Sequence, residues 1–213
     1  MVREAGELPR YQRLVDGLLL PAPVADELAL DFCNTRAGWG MREPREYLTS
    51  YDHLVVWARE AGLIAPPAAA RLRKGAKREP GNAARVLERV LALRDGLYAV
   101  CTDSSPACWN TVADEAHAAS AAAVLVKDEP PGRRWVIPES AGLDLPALEV
   151  GRVAGDLLAS TDLASVGRCP GDGCGWLFLD TRGRRRWCTM AVCGNRAKAR
   201  RHAARARNEA TQG

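Results

Sequence analysis

Four cysteines crowded into one short segment constrain this chain more than any other feature. They form two equally spaced pairs, Cys169 with Cys174 and Cys188 with Cys193, and thirteen residues separate the pairs. Thiolates at this spacing close a tetrahedral shell around zinc, and four sulfur ligands leave no open catalytic position. In a reducing compartment such a cluster favours a metal over disulfides. We therefore predict one structural zinc ion bound by all four cysteines; scattered buried thiols or an iron–sulfur cluster are the alternatives.

The residues around the cysteines predict a small finger over residues 166–209. Aromatic and branched residues favour a strand at 175–180, a turn at 181–183 and a returning strand at 184–187 that delivers Cys188. After Cys193, Asn195 is expected to cap an alanine-rich helix. A knuckle, a hairpin and a last ligand at a helix start describe a treble-clef-like finger. Such a segment buries little core, so the metal must supply much of its stability.

The chain before the finger predicts the fold class α+β, mainly α. Prolines at positions 9, 21 and 23 predict an irregular lead-in over residues 1–24. Residues 25–165 predict a mainly helical domain with one small β-hairpin. Ligand sensing and dimerisation are the two roles considered for this domain. The expected helices cover residues 49–61, 66–78, 82–100, 106–121 and 145–160, and the expected strands cover 123–126 and 135–137.

The charges divide the chain into two unlike parts. Residues 168–209 carry 11 basic and 3 acidic side chains, whereas residues 1–167 carry 19 basic and 23 acidic ones. The net charge of +4 therefore combines a finger at +8 with a first domain at −4. A segment this basic is suited to a negatively charged partner.

Ten Arg or Lys residues and no acid fall between positions 181 and 208, and most belong to the predicted last helix. An arginine-rich helix fixed at its metal end can contact phosphates or enter a major groove, so double-stranded DNA is the expected partner. RNA, an acidic protein that docks on the helix, or no macromolecular partner are the alternatives. The candidate nucleic-acid contacts are Arg184, Arg185, Arg186, Asn195, Arg196, Lys198, Arg200, Arg201 and Arg205.

A polar cluster in the first domain is a second candidate site. Asp31, Asn34, Thr35 and Arg36 follow an apolar helical stretch and are candidates for binding a small-molecule effector. The alternative is structural: Asn34 and Thr35 end a helix, and Asp31 pairs with Arg36.

Other functions find no support in the residues. No phosphate-binding loop, nucleophile elbow or paired-carboxylate pattern is present, so no enzymatic activity is predicted. No apolar run reaches the roughly 18 residues that a membrane helix needs, and the N-terminus does not resemble a secretory signal. We expect a cytoplasmic protein, with a homodimer as one of its expected assemblies.

The cysteine segment resembles the CGNR zinc finger family. The signature is Cys193-Gly194-Asn195-Arg196, and residues around it also match: Cys169-Pro170, Cys174, Leu177-Phe178, Asp180, Arg186-Trp187-Cys188, Met190 and Lys198. The turn at 181–183 is shorter than is usual in that family.

The first domain is similar to the ABATE domain that usually precedes this finger. The matching residues are Leu30-Asp31-Phe32, Asn34-Thr35-Arg36, Leu54, Trp57-Ala58 and Gly62-Leu63. This resemblance implies a transcription regulator linked to stress.

Overall fold

A computed structural model describes residues 11–102, 106–127 and 132–210. Among these residues, helices dominate and every sheet is a two-stranded antiparallel hairpin. The predicted class, α+β and mainly α, is confirmed. No described helix has both the length and the apolar character needed to cross a membrane.

The described chain opens with a hairpin where the sequence analysis expected an irregular lead-in. Strands β1 (Gln12–Val15) and β2 (Leu18–Pro21) pair around a turn in which Asp16 and Gly17 have φ of 50° and 77°. An Asp-Gly dipeptide between apolar residues is a strong hairpin signal, because both residues tolerate positive φ. The prolines misled the prediction, since Pro21 sits at the end of a strand where a missing N–H costs little. Residues 1–10 lie outside the described residues.

The helices of the first domain lie close to their predicted positions. Ser50 caps α2 (Tyr51–Glu60) by accepting a hydrogen bond from the backbone N–H of His53, and α4 (Pro80–Thr102) begins at Pro80 rather than at the predicted Asn82 cap. The predicted hairpin is present as β5 (Val124–Lys127) and β6 (Arg133–Val136), and residues 128–131 of the connection lie outside the described part. The first-domain elements after β2 are α1 (Leu28–Cys33), β3 (Arg36–Ala37), β4 (Arg45–Glu46), α2 (Tyr51–Glu60), α3 (Pro66–Arg78), α4 (Pro80–Thr102), α5 (Pro106–Ala122), β5 (Val124–Lys127), β6 (Arg133–Val136) and α6 (Leu145–Ala159).

One apolar core joins these helices and extends into the finger. Helices α5 and α6 approach so closely that a Cβ on Gly151 would lie 2.7 Å from the backbone oxygen of Glu115. The finger comprises β7 (Val166–Arg168), β8 (Leu177–Leu179) and α7 (Asn195–Ala210). Leu177 of β8 is fully buried in the same core as α1, α2, α4 and α6. The finger is therefore packed into the helical domain rather than attached to it by a linker.

Candidate metal centre and basic helix

The four predicted ligands converge on one point. The sulfur atoms of Cys169, Cys174, Cys188 and Cys193 all lie within 4.8 Å of one another. The Sγ of Cys188 is 3.6 Å from the Sγ of Cys174 and also 3.6 Å from that of Cys193. Tetrahedral zinc at about 2.3 Å from each sulfur separates the sulfurs by about 3.8 Å. The donor set and its spacing therefore fit one structural zinc ion, as predicted.

The first cysteine pair sits on a tight knuckle. The backbone N–H of Cys169 donates to the oxygen of Trp176 (2.8 Å), and that of Cys174 donates to the oxygen of Gly171 (2.9 Å). A Cβ on Gly171 would lie 3.0 Å from the Sγ of Cys193, so any larger residue there would crowd the sulfur cluster. The knuckle lies between β7 and β8, which pair with Arg168 opposite Leu177.

The second cysteine pair occupies the turn that starts the last helix. Thr189 caps this turn by accepting a hydrogen bond from the backbone N–H of Ala191, and the N–H of Cys193 donates to the oxygen of Thr189. The cap predicted at Asn195 is wrong, because Asn195 is already helical and its amide donates to the oxygen of Ala191. The sequence does contain a signal for the observed cap, because Thr189 is a hydroxyl residue that directly follows the predicted ligand Cys188.

The hairpin predicted for the finger is wrong, because strand β8 pairs with a different segment from the one expected. Residues 184–187 form no strand, and β8 pairs instead with β7, which precedes the first cysteine. The carboxylate of Asp180 accepts hydrogen bonds from the backbone N–H groups of Arg184 and Arg185 at 2.9 Å. This closed loop holds residues 181–185 in a turn, which prevents them from continuing a strand.

Two of the four thiols are biased towards the thiolate, which is the form that binds zinc. Hydrogen bonds from Cys174 and Cys188 lower the pKa of Cys169 to about 6. The pKa of Cys193 is lowered by its three cysteine neighbours and by Arg196, whose guanidinium nitrogen lies 3.2 Å from its sulfur. Zinc binding displaces the protons that remain on the other thiols. Arg196 thus partly offsets the charge of a zinc tetrathiolate.

The finger has a small aromatic core that it shares with the N-terminal part of the chain. Trp176 and Phe178 are buried together with the cysteines and with Tyr47 from the first domain. The indole N–H of Trp176 donates to the oxygen of Arg36 at 2.9 Å, and its ring meets the ring of Tyr11 edge to face. Trp176 and Phe178 therefore have a structural role, and because they are buried they cannot stack on nucleic-acid bases.

Asn34 joins the first domain to the finger. It is fully buried, its amide NH2 donates to the oxygen of Leu177 (2.9 Å), and its amide oxygen accepts from the N–H of Leu177 (2.8 Å). The side chain thereby satisfies both backbone groups of one residue, as a neighbouring strand would. Tyr98 adds a second link by donating from its hydroxyl to the oxygen of Gly175 at 2.8 Å.

The other members of the predicted effector cluster also make structural contacts. Asp31 accepts from the N–H groups of Val24 and Ala25, and burial raises the pKa of its carboxyl. Thr35 is fully buried and donates to the oxygen of Phe32. Arg36 pairs with Asp95 rather than with Asp31. These four side chains bind other parts of the protein, so the effector interpretation loses the hydrogen-bonding groups on which it depended.

An ion pair beneath this cluster was missed by the sequence analysis. Arg94 is only 2% exposed, and its guanidinium binds both carboxylate oxygens of Glu46 at 2.7 Å and the hydroxyl of Thr35 at 3.3 Å. The periodicity of α4 does indicate that Arg94 is buried. Arg94 lies four residues after Val90 and three before Leu97, and both of these residues belong to the core. A bidentate pair of this kind fixes α4 to β4.

The nine predicted nucleic-acid contacts separate into structural and exposed residues. The guanidinium of Arg185 lies over the ring of Phe178, pairs with Asp26 and donates to backbone oxygens on both sides of the domain boundary, including that of Val24. Arg196 contacts the metal cluster, and Asn195 bonds within its own turn. Asn195 and Arg196 are exposed despite these contacts, and the other exposed side chains are those of Arg184, Arg186, Lys198, Arg200, Arg201 and Arg205.

The last helix projects away from the body of the protein. Ala197 is buried against the finger, whereas every residue from Lys198 to Asn208 is exposed. With 16 residues, α7 is about 24 Å long, and only its first turn is packed. The cysteine turn therefore orients a basic rod of solvent-exposed helix.

Comparison with known families assigns both parts of the chain. Residues 26–167 match ABATE, described as "Putative stress-induced transcription regulator". The chain belongs to the ABATE family. Residues 165–206 match the CGNR zinc finger, so the four cysteines are the metal ligands of a recognised finger type. No curated protein matches the chain.

Proposed function

We propose that this ABATE protein is a cytoplasmic regulator that binds double-stranded DNA through α7, with zinc orienting the helix. The observation that carries the proposal is the exposure of the helix: its cations at Lys198, Arg200, Arg201 and Arg205 face solvent and make no ion pair with a described residue. A helix held only for structure would bury a face, whereas α7 buries only its first turn. The role proposed is binding rather than catalysis.

The charge arrangement supports phosphate contacts along one side of the helix. Lys198, Arg201 and Arg205 recur at intervals of three and four residues, which places them in one stripe. The exposed Arg184 and Arg186 precede the second cysteine pair, so they lie at the metal end of the helix. Phosphate contacts position a protein on DNA, and arginines additionally read guanine in the major groove.

The test is fluorescence anisotropy of the zinc-loaded full chain with a labelled random-sequence duplex. Each phosphate contact contributes about −0.9 to the slope of log K against log salt concentration, so four contacts give a slope of about −3.6. The variant Arg200→Glu/Arg201→Glu/Arg205→Glu is expected to bind at least about 100-fold more weakly. Absence of binding at low salt would contradict the proposal.

A matched control separates the helix from net charge. The exposed residues Lys74, Lys77 and Arg78 belong to α3. Reversing these three charges changes the net charge equally, yet it should weaken binding by less than about fivefold. Equal losses in both variants would show that overall charge, and not α7, attracts the duplex. Retention of an acidic protein after nuclease treatment, with no affinity for duplex, would assign α7 to protein docking instead.

A further inference from the structure

One of the four sulfur ligands is more accessible to solvent than the others. Cys174 is partly exposed. Its two chain neighbours are Gly173 and Gly175, which carry no side chain that could cover its sulfur. The remaining ligands are each only 2% exposed, namely Cys169, Cys188 and Cys193. A molecule that approaches the metal centre from solvent therefore reaches Cys174 before the other three.

A small cleft opens beside this sulfur. Its volume is about 110 Å³, and its lining includes Cys174, Cys188 and Cys193. A water molecule takes up roughly 30 Å³ in the liquid, so the cleft has room for a few molecules of that size. A small polar molecule can therefore contact three of the four ligands, whereas a bulky reagent does not fit.

A cation lies in the same cleft as the sulfurs. Arg196 is one of the lining residues, and its guanidinium nitrogen is 3.2 Å from the Sγ of Cys193. A guanidinium stabilises negative charge that develops on a nearby oxygen, because it is permanently charged and offers several N–H donors. The cleft thus combines sulfur nucleophiles with a group that stabilises a departing anion.

This combination is suited to reaction with a peroxide. Thiols that coordinate a metal are deprotonated, so with zinc bound Cys174 is a thiolate. Its Sγ lies 3.6 Å from the Sγ of Cys188, which is close enough for a second thiolate to complete a disulfide. Accessible thiolates with a neighbouring thiol are the cysteines that peroxides oxidise reversibly. We propose that Cys174 is a site of oxidation by hydrogen peroxide, and that this oxidation releases the zinc.

The oxidation proceeds in two balanced steps. First, the sulfur of Cys174 attacks one peroxide oxygen: an S–O bond forms, the O–O bond breaks, and the sulfur loses two electrons to become a sulfenic acid. The other oxygen leaves as hydroxide, which the charge of Arg196 stabilises. Second, the thiolate of Cys188 attacks the sulfur of Cys174, so that an S–S bond forms, the S–O bond breaks and a second hydroxide leaves. Two protons from solvent convert both hydroxides to water.

The disulfide removes two of the four metal ligands. Structural zinc requires a closed shell of four, so the metal leaves and the finger loses the stability that the metal supplied. Cys188 directly precedes Thr189, the cap of the turn that starts α7. Oxidation therefore releases the turn that orients the basic helix. A loss of DNA binding rests on the function proposed above, whereas the oxidation and the release of zinc do not.

The test is the rate of zinc transfer to a coloured chelator when the zinc-loaded full chain is mixed with hydrogen peroxide. We expect release of one zinc per chain, and peptide mapping by mass spectrometry should find Cys174 joined to Cys188. Dithiothreitol with added zinc should restore metal binding. Cys108 is the internal control, because it is also partly exposed but does not line the cleft. It should be oxidised at least about tenfold more slowly.

The variant Arg196→Met separates the chemical step from the holding of zinc. Hydroxide leaves less readily without the cation, so release driven by peroxide should slow about tenfold. A purely structural role for Arg196 predicts the opposite, since a less stable centre loses zinc faster. Transfer to the chelator without peroxide is measured in parallel to correct for this loss. The matched control is Arg200→Met, which is on the same helix and outside the cleft; it should change the rate less than about twofold.

Three results would overturn the proposal. Zinc that stays bound at a peroxide concentration that oxidises Cys108 would show that the cleft does not promote the reaction. A peptide map in which Cys174 stays reduced would assign the oxidation to other ligands. A peroxide rate that Arg196→Met leaves unchanged or raises would remove the cation from the chemistry. Duplex binding is measured before and after oxidation as a separate readout, so a chain that never binds DNA would contradict the function of α7 while the zinc release and the peptide map still decide the oxidation.

Discussion

Replacing Asn34 by alanine should loosen the finger from the helical domain. The substitution removes both hydrogen bonds to Leu177, whose backbone N–H and oxygen then have no partner at a fully buried site. Each unsatisfied buried group costs about 1 to 3 kcal/mol, and some rearrangement recovers part of it. We expect the free energy of unfolding to fall by about 3 kcal/mol, which lowers the folding equilibrium constant roughly 100-fold.

Two measurements on zinc-loaded protein check this expectation. Urea unfolding followed by circular dichroism gives the loss of stability, and transfer of zinc to a coloured chelator gives the release rate, which should rise because β8 is less firmly held. Asn82→Ala is the control, since the partners of Asn82 are exposed; its effect should stay within about 0.5 kcal/mol. A loss below that value for Asn34→Ala, or a loss with unchanged zinc release, would refute the proposed link.

Three further predictions concern the metal, the buried ion pair and the remaining thiols. Elemental analysis should find one zinc per chain, and Cys188→Ser should abolish tight binding and lower the melting temperature of the whole chain, because the finger shares the main core. Arg94→Met should lower the free energy of unfolding, measured by urea titration, by about 2 kcal/mol, because Glu46 loses its bidentate partner. The control is Arg89→Met, which should cost less than about 1 kcal/mol because the Arg89 side chain is 42% exposed. With zinc bound, mass spectrometry after maleimide treatment near neutral pH should find Cys33 and Cys101 unmodified, because burial raises the pKa of Cys33 and raises that of Cys101 to about 12; rapid labelling of either would contradict their placement.

Local patterns predicted the parts of this protein that local chemistry determines. Cysteine spacing predicted the metal site, and helical periodicity predicted most of the helices. The role of Arg185 could not be read in this way, because its partners Val24 and Asp26 lie about 160 residues earlier in the chain. The same reason explains Asn34, which contacts a residue 143 positions away. A polar residue near a helix end is compatible with a cap, a ligand site or a domain link, and only the tertiary contacts distinguish them.

The contact of the N-terminal hairpin with the finger has a consequence for biosynthesis. Tyr11 and Leu19 pack on the aromatic cluster of the finger. Their packing therefore cannot form until residues more than 150 positions later in the chain are available. Contacts between residues this distant form slowly, because a long loop must close before they stabilise anything. On the ribosome, the early hairpin remains without its partner surface until Trp176 and the second cysteine pair have emerged. Zinc acquisition is therefore a late event that completes the packing of the N-terminal hairpin as well as that of the finger. A shortage of the metal should leave both segments of newly made protein exposed to proteases.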